Sequence, residues 1–197
     1  LTGMPCRLCI DLDCLMILRT SLGAAAPEEG CALLLGEATP EISVRVVWPC
    51  CNVWLPGFPG SGHGLEERGD QDSINLSRRS RFALDPMEQI AAQRWSRRKG
   101  LQVLGSAHSH PGGQPVPSEL DRRWAISEGV MIIDAGAAGL RAWWLHGASG
   151  QQPSPLSMVD SSGPLAADAV SSCADRPFLP VQSRKTVLMP PSRHGSD

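Results

Sequence analysis

Apolar and polar positions divide the first 146 residues into short aliphatic runs interrupted by helical patterns. Cys31–Gly36 (CALLLG) and Ile42–Trp48 (ISVRVVW) are compact, rich in aliphatic and β-branched side chains, and bounded by Gly or Pro, which predicts two strands. Ahead of them, Leu15, Ile17, Leu18 and Leu22 fall near helical spacing and predict a helix over Asp11–Ala25. The run DPMEQIAAQRWSRRKG carries every helix signal: Asp85 as N-cap, Pro86 at the first position, Glu88 at the third and Gly100 just past the end. Met87, Ile90, Ala91 and Trp95 recur there at helical spacing and predict its buried stripe, while Arg94, Arg97, Arg98 and Lys99 suit the negative end of the helix dipole. A strand over Leu101–Ala107 follows, then the polar segment HSHPGGQPVPSELD, a short helix from Ser118, and strands over Val130–Asp134 and Leu140–Leu145. The Trp143–Trp144 pair suggests an edge of the sheet with one ring buried and one exposed. Strands that alternate with helices and then meander predict an α/β fold with a mixed sheet.

Composition refines this outline. With 197 residues, one working domain over 1–147 is expected, carrying a long loop over about 55–79 that opens LPGFPGSGHG. Residues 148–197 are dominated by Ser, Pro, Gly and Ala and read as a mostly disordered tail. The formal net charge of -2 gives no broad positive field, so neither nucleic acid nor an anionic membrane is an expected partner. No stretch approaches the roughly 18 to 20 apolar residues that span a bilayer. The N-terminal stretch has no basic leader and contains Asp11 and Asp13, so a cytoplasmic setting is expected, with the seven cysteines mostly as buried thiols. Pro5, Cys6 and Cys9 form a P-C-x-x-C string of the kind zinc deaminases use. Those enzymes place H-x-E ahead of it, whereas here the histidine segment follows about a hundred residues later with His110 where Glu should stand. Buried thiols are therefore the simpler reading of Cys6, Cys9 and Cys14, with a redox or metal role left open.

The chemistry concentrates in His108, His110 and Asp121. Two histidines at i and i+2 after a strand project to the same face, so both imidazoles can meet one ion, and Asp121 just inside the next helix can supply a third ligand. Two imidazoles, one carboxylate and an open position for water describe a catalytic zinc site rather than a closed structural one. Each part alone has a plainer reading. H-x-H pairs often serve only local hydrogen bonding, and SELD is a capping box with Ser118 as N-cap. The complete string H-S-H-P followed by S-x-x-D is far more specific than its parts.

In that string the sequence resembles the JAMM (MPN+) zinc metallopeptidases, whose signature is an upstream Glu followed by H-x-H-P-x6-S-x2-D. The likeness extends to Pro27-Glu28-Glu29-Gly30-Cys31 before the Leu-rich strand, to RFALDP, and to the GVMIID and LRAWWL strands. It implies a cytidine-deaminase-like α/β/α sandwich with a mixed β-sheet. It further implies one Zn2+ per chain on His108, His110 and Asp121, Glu29 as general base and Ser118 as donor to the oxyanion. The register P-x-E-x-C favours Glu29 over the adjacent Glu28. Compact relatives imply a peptidase or isopeptidase acting beside the Gly-Gly tail of a small ubiquitin-like or sulfur-carrier protein. The short interval between Asp121 and Val130 leaves no room for the insertion with which polyubiquitin-specific relatives hold a second ubiquitin. The alternative is a catalytically silent MPN-type scaffold or protein-binding module, although relatives of that kind have usually lost ligands that are all present here.

Overall fold

A computed structural model describes residues 4–39, 41–56, 77–125, 127–147, 151–160 and 163–164. The elements run β1 (Arg7–Ile10), α1 (Leu12–Gly23), β2 (Cys31–Glu37), β3 (Ile42–Cys50), α2 (Pro86–Arg98), β4 (Gln102–Ser109), α3 (Glu119–Trp124), β5 (Glu128–Asp134), β6 (Leu140–His146), β7 (Ser154–Asp160) and β8 (Gly163–Pro164). One mixed sheet holds all the described strands, in the order β1-β3-β2-β4-β5-β6-β7-β8. β1 also lies parallel to β7, so the sheet curls until it closes on itself.

The α/β layering follows from the period-2 alternation of the strands. Ala32 and Leu34 of β2 join Cys14, Leu18 and Leu22 of α1 in the larger apolar cluster. The intervening Leu33 and Leu35 join Ala92 and Trp95 of α2 in a second cluster on the opposite face. Gly105 of β4 must be glycine, because a Cβ there would lie 1.9 Å from the Val130 carbonyl oxygen across the β4–β5 ladder.

Three expectations are corrected. The buried side of α2 is Ala92, Trp95 and Ser96, whereas Met87 is 70% and Ile90 41% exposed. Glu88 turns from the cap to accept from the Cys51 backbone N–H at 2.9 Å, and Trp95 packs on Trp48 with ring centroids 5.9 Å apart, two contacts that fix the helix rotation. The small Ala92 then meets the sheet, and buried Ser96 is satisfied by the Gln93 carbonyl at 3.0 Å. Second, the working domain does not stop at 147. β7, inside the supposed tail, buries Leu156 and Val159 and pairs with both β6 and β1. Its Ser and Pro residues occupy outward or end positions, which disguises a strand in a Pro/Ser-rich composition. Third, β6 is interior to the sheet and both Trp143 and Trp144 are half-buried. Most of the 55–79 loop, at 57–76, and the tail beyond 164 lie outside the described residues, as do His63 and Cys173. No helix among the described residues is long and apolar enough to cross a membrane.

Candidate metal centre

The site forms where the end of β4 meets the start of β2. Their antiparallel register sets Cys31 against His108, which brings Glu29 and Gly30 beside a segment some eighty positions later in the chain. The junction is tied by the Gly30 N–H donating to Ser109 Oγ at 2.8 Å and the Ser109 N–H donating to the Gly30 carbonyl at 3.0 Å. Gly30 has no room for a side chain, since a Cβ would come within 2.6 Å of the Leu22 carbonyl oxygen. A third segment completes the wall. Asn52 Nδ2 donates to the carbonyls of Glu29 (2.9 Å) and Arg81 (3.0 Å), while its Oδ1 accepts from Trp54 and Ala83 N–H groups at 3.0 and 3.1 Å.

His108 is fully buried, stacked on Phe82 with centroids 4.4 Å apart and planes at 22°. Its Nε2 lies 2.9 Å from Nε2 of His110 and 3.5 Å from Oδ1 of Asp121, and the second Asp121 oxygen is 3.8 Å from His110 Nε2. A tetrahedral ion with bonds of about 2.0–2.1 Å sets neighbouring donor atoms about 3.3 Å apart, a value these separations bracket. Two imidazole nitrogens approach this closely only with a proton or a cation between their lone pairs. His110 Nδ1 is 2.8 Å from the Gln114 carbonyl; as the donor in that bond it leaves the Nε2 lone pair of His110 to the cluster. His108 Nδ1 is buried without a hydrogen-bond partner, so the ring is held by stacking on Phe82. The donor set and spacing fit zinc. Among the described residues this is the one cluster of His, Cys, Asp or Glu able to hold a metal.

Asp121 serves two ends at once. Its Oδ2 accepts from the Ser118 backbone N–H at 2.7 Å and Ser118 Oγ accepts from the Asp121 N–H at 3.2 Å, so the capping box is real. The same carboxylate faces both histidines. Burial alone would raise its pKa; hydrogen bonding and charge from His108, with the bonds from Ser118, outweigh burial and hold it down at about 2. Burial, followed by repulsion from His108, lowers the pKa of His110.

Glu29 is 6% exposed and lines the same cleft, about 260 Å³ in volume, as Ser118, His110 and Asp121. Burial is the main cause that pushes its carboxyl up to about 7; the Asp121 charge adds to it, while His108 and Arg81 oppose it. Glu28 instead points outward, with Arg78 Nη1 4.0 Å from its carboxylate. Geometry thus separates two residues that adjacency had left close. Phe82, Asn52 and Ser109 support the site without having been singled out in the sequence, and Trp143, read there only as part of a sheet edge, donates from Nε1 to the Pro115 carbonyl at 2.9 Å. Phe82 lies within the RFALDP string, Ser109 within H-S-H-P and Trp143 within LRAWWL; Asn52 had no local signal. Cys9, Cys14 and Cys31 are buried thiols as expected, whereas Cys6 and Cys50 are half-buried and Cys51 is exposed. Burial raises Cys9 to about 11 and Cys31 to about 12, with nearby acids adding to both, and Cys9 and Cys14 lie in the core.

A mixed sheet between α1 and α2, with a His-His-Asp cluster at the end of a central strand that could hold a metal ion, is the arrangement of a JAB/MPN-type domain and is consistent with a JAMM-type metal site. The model of the prokaryotic homologs of the JAB domain matches residues 13–146, and the chain belongs to that family. Its fold is shared with the solution structure of a Desulfitobacterium hafniense protein at TM-score 0.59 and 22% identity, covering 78% of this chain and 92% of that one. A solution structure from Salinibacter ruber aligns at TM-score 0.50 and 25% identity, over 79% of this chain and 94% of that one. A JAB1/MPN domain protein from Archaeoglobus fulgidus aligns at 0.39 and 19%, over 80% and 100%. No curated protein matches the chain significantly.

Proposed function

We propose that this domain is a zinc-dependent peptidase or isopeptidase that hydrolyses the bond beside the Gly-rich C-terminal tail of a small ubiquitin-like or sulfur-carrier protein in the cytoplasm. The observation that carries this reading is the convergence of Glu29 and Ser118 on the cleft of the His108–His110–Asp121 cluster, from elements far apart in sequence. His108, His110 and Asp121 would hold the zinc, which would lower the pKa of a water to around 7 and polarise a carbonyl. Glu29 then takes a proton from the nucleophile and hands it to the leaving amine, a role suited by its burial and a pKa near neutrality. Ser118 Oγ already accepts from the Asp121 N–H. A hydroxyl has one proton and two lone pairs, so the Ser118 O–H remains available to donate to the oxyanion. His110, Pro111 and Gly113 form a wall against which an extended chain without side chains can lie closely.

The test is hydrolysis of a ubiquitin-like protein extended beyond its terminal Gly-Gly, by the zinc-loaded chain. Cleavage that vanishes in Glu29→Gln, and when the two glycines are replaced by leucines, supports the reading. Cleavage indifferent to those glycines overturns the tail specificity. A zinc-free chain with no hydrolytic activity, even after reconstitution, would instead support the scaffold alternative.

A further inference from the structure

The two histidines of the cluster are held in place by different means. His110 has a hydrogen-bond partner for its outer nitrogen, with Nδ1 2.8 Å from the Gln114 carbonyl. His108 turns its Nε2 to His110 and Asp121, at 2.9 and 3.5 Å, and its Nδ1 is buried with no partner. An imidazole that gives the Nε2 lone pair to a cation carries its proton on Nδ1, and metal-bound histidines ordinarily donate that N–H to a carboxylate, a carbonyl or water. For His108 the neighbour is an aromatic face instead, the Phe82 ring, with centroids 4.4 Å apart and planes at 22°.

The backbone on both sides of Phe82 is fixed. Asn52 Nδ2 donates to the Arg81 carbonyl at 3.0 Å and Asn52 Oδ1 accepts from the Ala83 N–H at 3.1 Å, so one amide brackets the residue that carries the ring. His108 is 0% exposed, which leaves no solvent to screen the contact. Apolar packing alone does not need an aromatic residue at this place. What a ring adds is electrostatic: its face is negative and attracts a cation or an electron-poor group within about 6 Å of its centroid, more strongly where water is excluded. A neutral imidazole gains little from that face, whereas one that shares its lone pair with a divalent ion becomes electron-poor and gains more. The stack therefore favours the metal-bound state over the metal-free one.

We propose that Phe82 is a positioning residue of the metal centre. Its ring stands against the imidazole that lacks a hydrogen-bond acceptor, holds His108 with Nε2 toward His110 and Asp121, and strengthens the hold of the cluster on a divalent cation through its negative face. The inference rests on the metal site of the function proposed above and is independent of the substrate. It asks of Phe82 something that an aliphatic side chain filling the same space cannot supply.

The test is the affinity of the full chain for zinc, measured by competition with a chromophoric chelator while the side chain at position 82 is changed. Phe82→Leu packs without a π-face and should weaken zinc binding about 5- to 30-fold. Phe82→Tyr keeps the negative face and should stay within about threefold of the wild type. A chain in which pentafluorophenylalanine replaces Phe82 keeps the outline of the ring and reverses the charge of its face. It should bind zinc at least as weakly as Phe82→Leu does, with the urea midpoint of the chelator-treated protein unchanged. A fluorinated chain that binds zinc as the wild type does, an unaltered affinity in Phe82→Leu, or a loss of affinity matched by an equal loss of metal-free stability would each overturn the proposal and leave Phe82 as packing. A wild-type chain that binds no zinc would be a different result, overturning the metal site itself and this proposal with it.

Discussion

The two faces of the central strands differ by a single residue step. Toward α1, Ala32, Leu34 and Ala107 belong to the apolar cluster that gathers side chains from β1 to β7. Toward α2, the next residues along, Cys31 and His108, sit at the upper end of a smaller apolar cluster and open into Glu29, Asp121 and the cleft. Because side chains alternate, the same backbone is anchored on one face and carries ligands on the other. Precision at the metal cluster is thus borrowed from the α1 face. Polar groups that are imperfectly satisfied, such as His108 Nδ1 and Arg81 Nε, collect on the α2 face.

Breaking the two faces separately should have separate consequences. The largest effect is on the ligand side: elemental analysis should find roughly one zinc per chain in the wild type and none in a His108→Ala, His110→Ala variant, which should also lose all hydrolysis while circular dichroism still reports a folded sheet. Leu34→Ala, on the α1 face at 0% exposure, should lower stability by about 2–5 kcal/mol in urea unfolding. Its folded fraction should keep its zinc.

Glu29 gives a smaller, pH-dependent difference. Its folded pKa of about 7 exceeds the ordinary value of 4.5, so the native metal-free state binds more protons than the unfolded one between those values. The stabilising contribution of the protonated carboxyl is present below pH 4.5 and is lost as pH rises through 7. Glu29→Gln should therefore stabilise the chelator-treated protein by roughly 2–3 kcal/mol at pH 8 and by little at pH 4.5. Equal stabilisation at both pH values would contradict a buried, charge-averse Glu29. The smallest effect belongs to the outer side of α2, where Met87→Lys should change stability by less than about 0.5 kcal/mol. Ala92→Lys, on the same helix but against β2, should cost several times more.

The site was legible where ligands cluster in sequence. The H-S-H-P string places two imidazoles on one side of a strand end, and Ser118 and Asp121 share a single helical turn, so local geometry settles their arrangement. Helix α2 was legible in its boundaries, because Asp85, Pro86 and Gly100 act locally. Its buried side was not: Met87 and Ile90 satisfy a helical period as well as Ala92 and Trp95 do, and only the contacts of Glu88 with Cys51 and Trp95 with Trp48 choose between them. β7 escaped notice because Ser154, Pro155 and Ser157 disguise its alternation, and because one of its two partners, β1, comes from a segment far earlier in the chain.

The amino-acid sequence by itself determined the α/β alternation through periodicity and the grouping of His108, His110 and Asp121 through short-range spacing, while the family and the upstream Glu29 were legible only through the resemblance of the whole motif. Tertiary structure decided that Glu29 and not Glu28 enters the cleft, that Asn52 binds the β2 entry to the wall carrying Phe82 and Arg81, and that the sheet closes through β1 and β7. The physical reason is common to these cases. Each depends on which buried backbone groups find partners across the fold, and a hydrogen bond between residues tens of positions apart leaves no periodic trace in the chain.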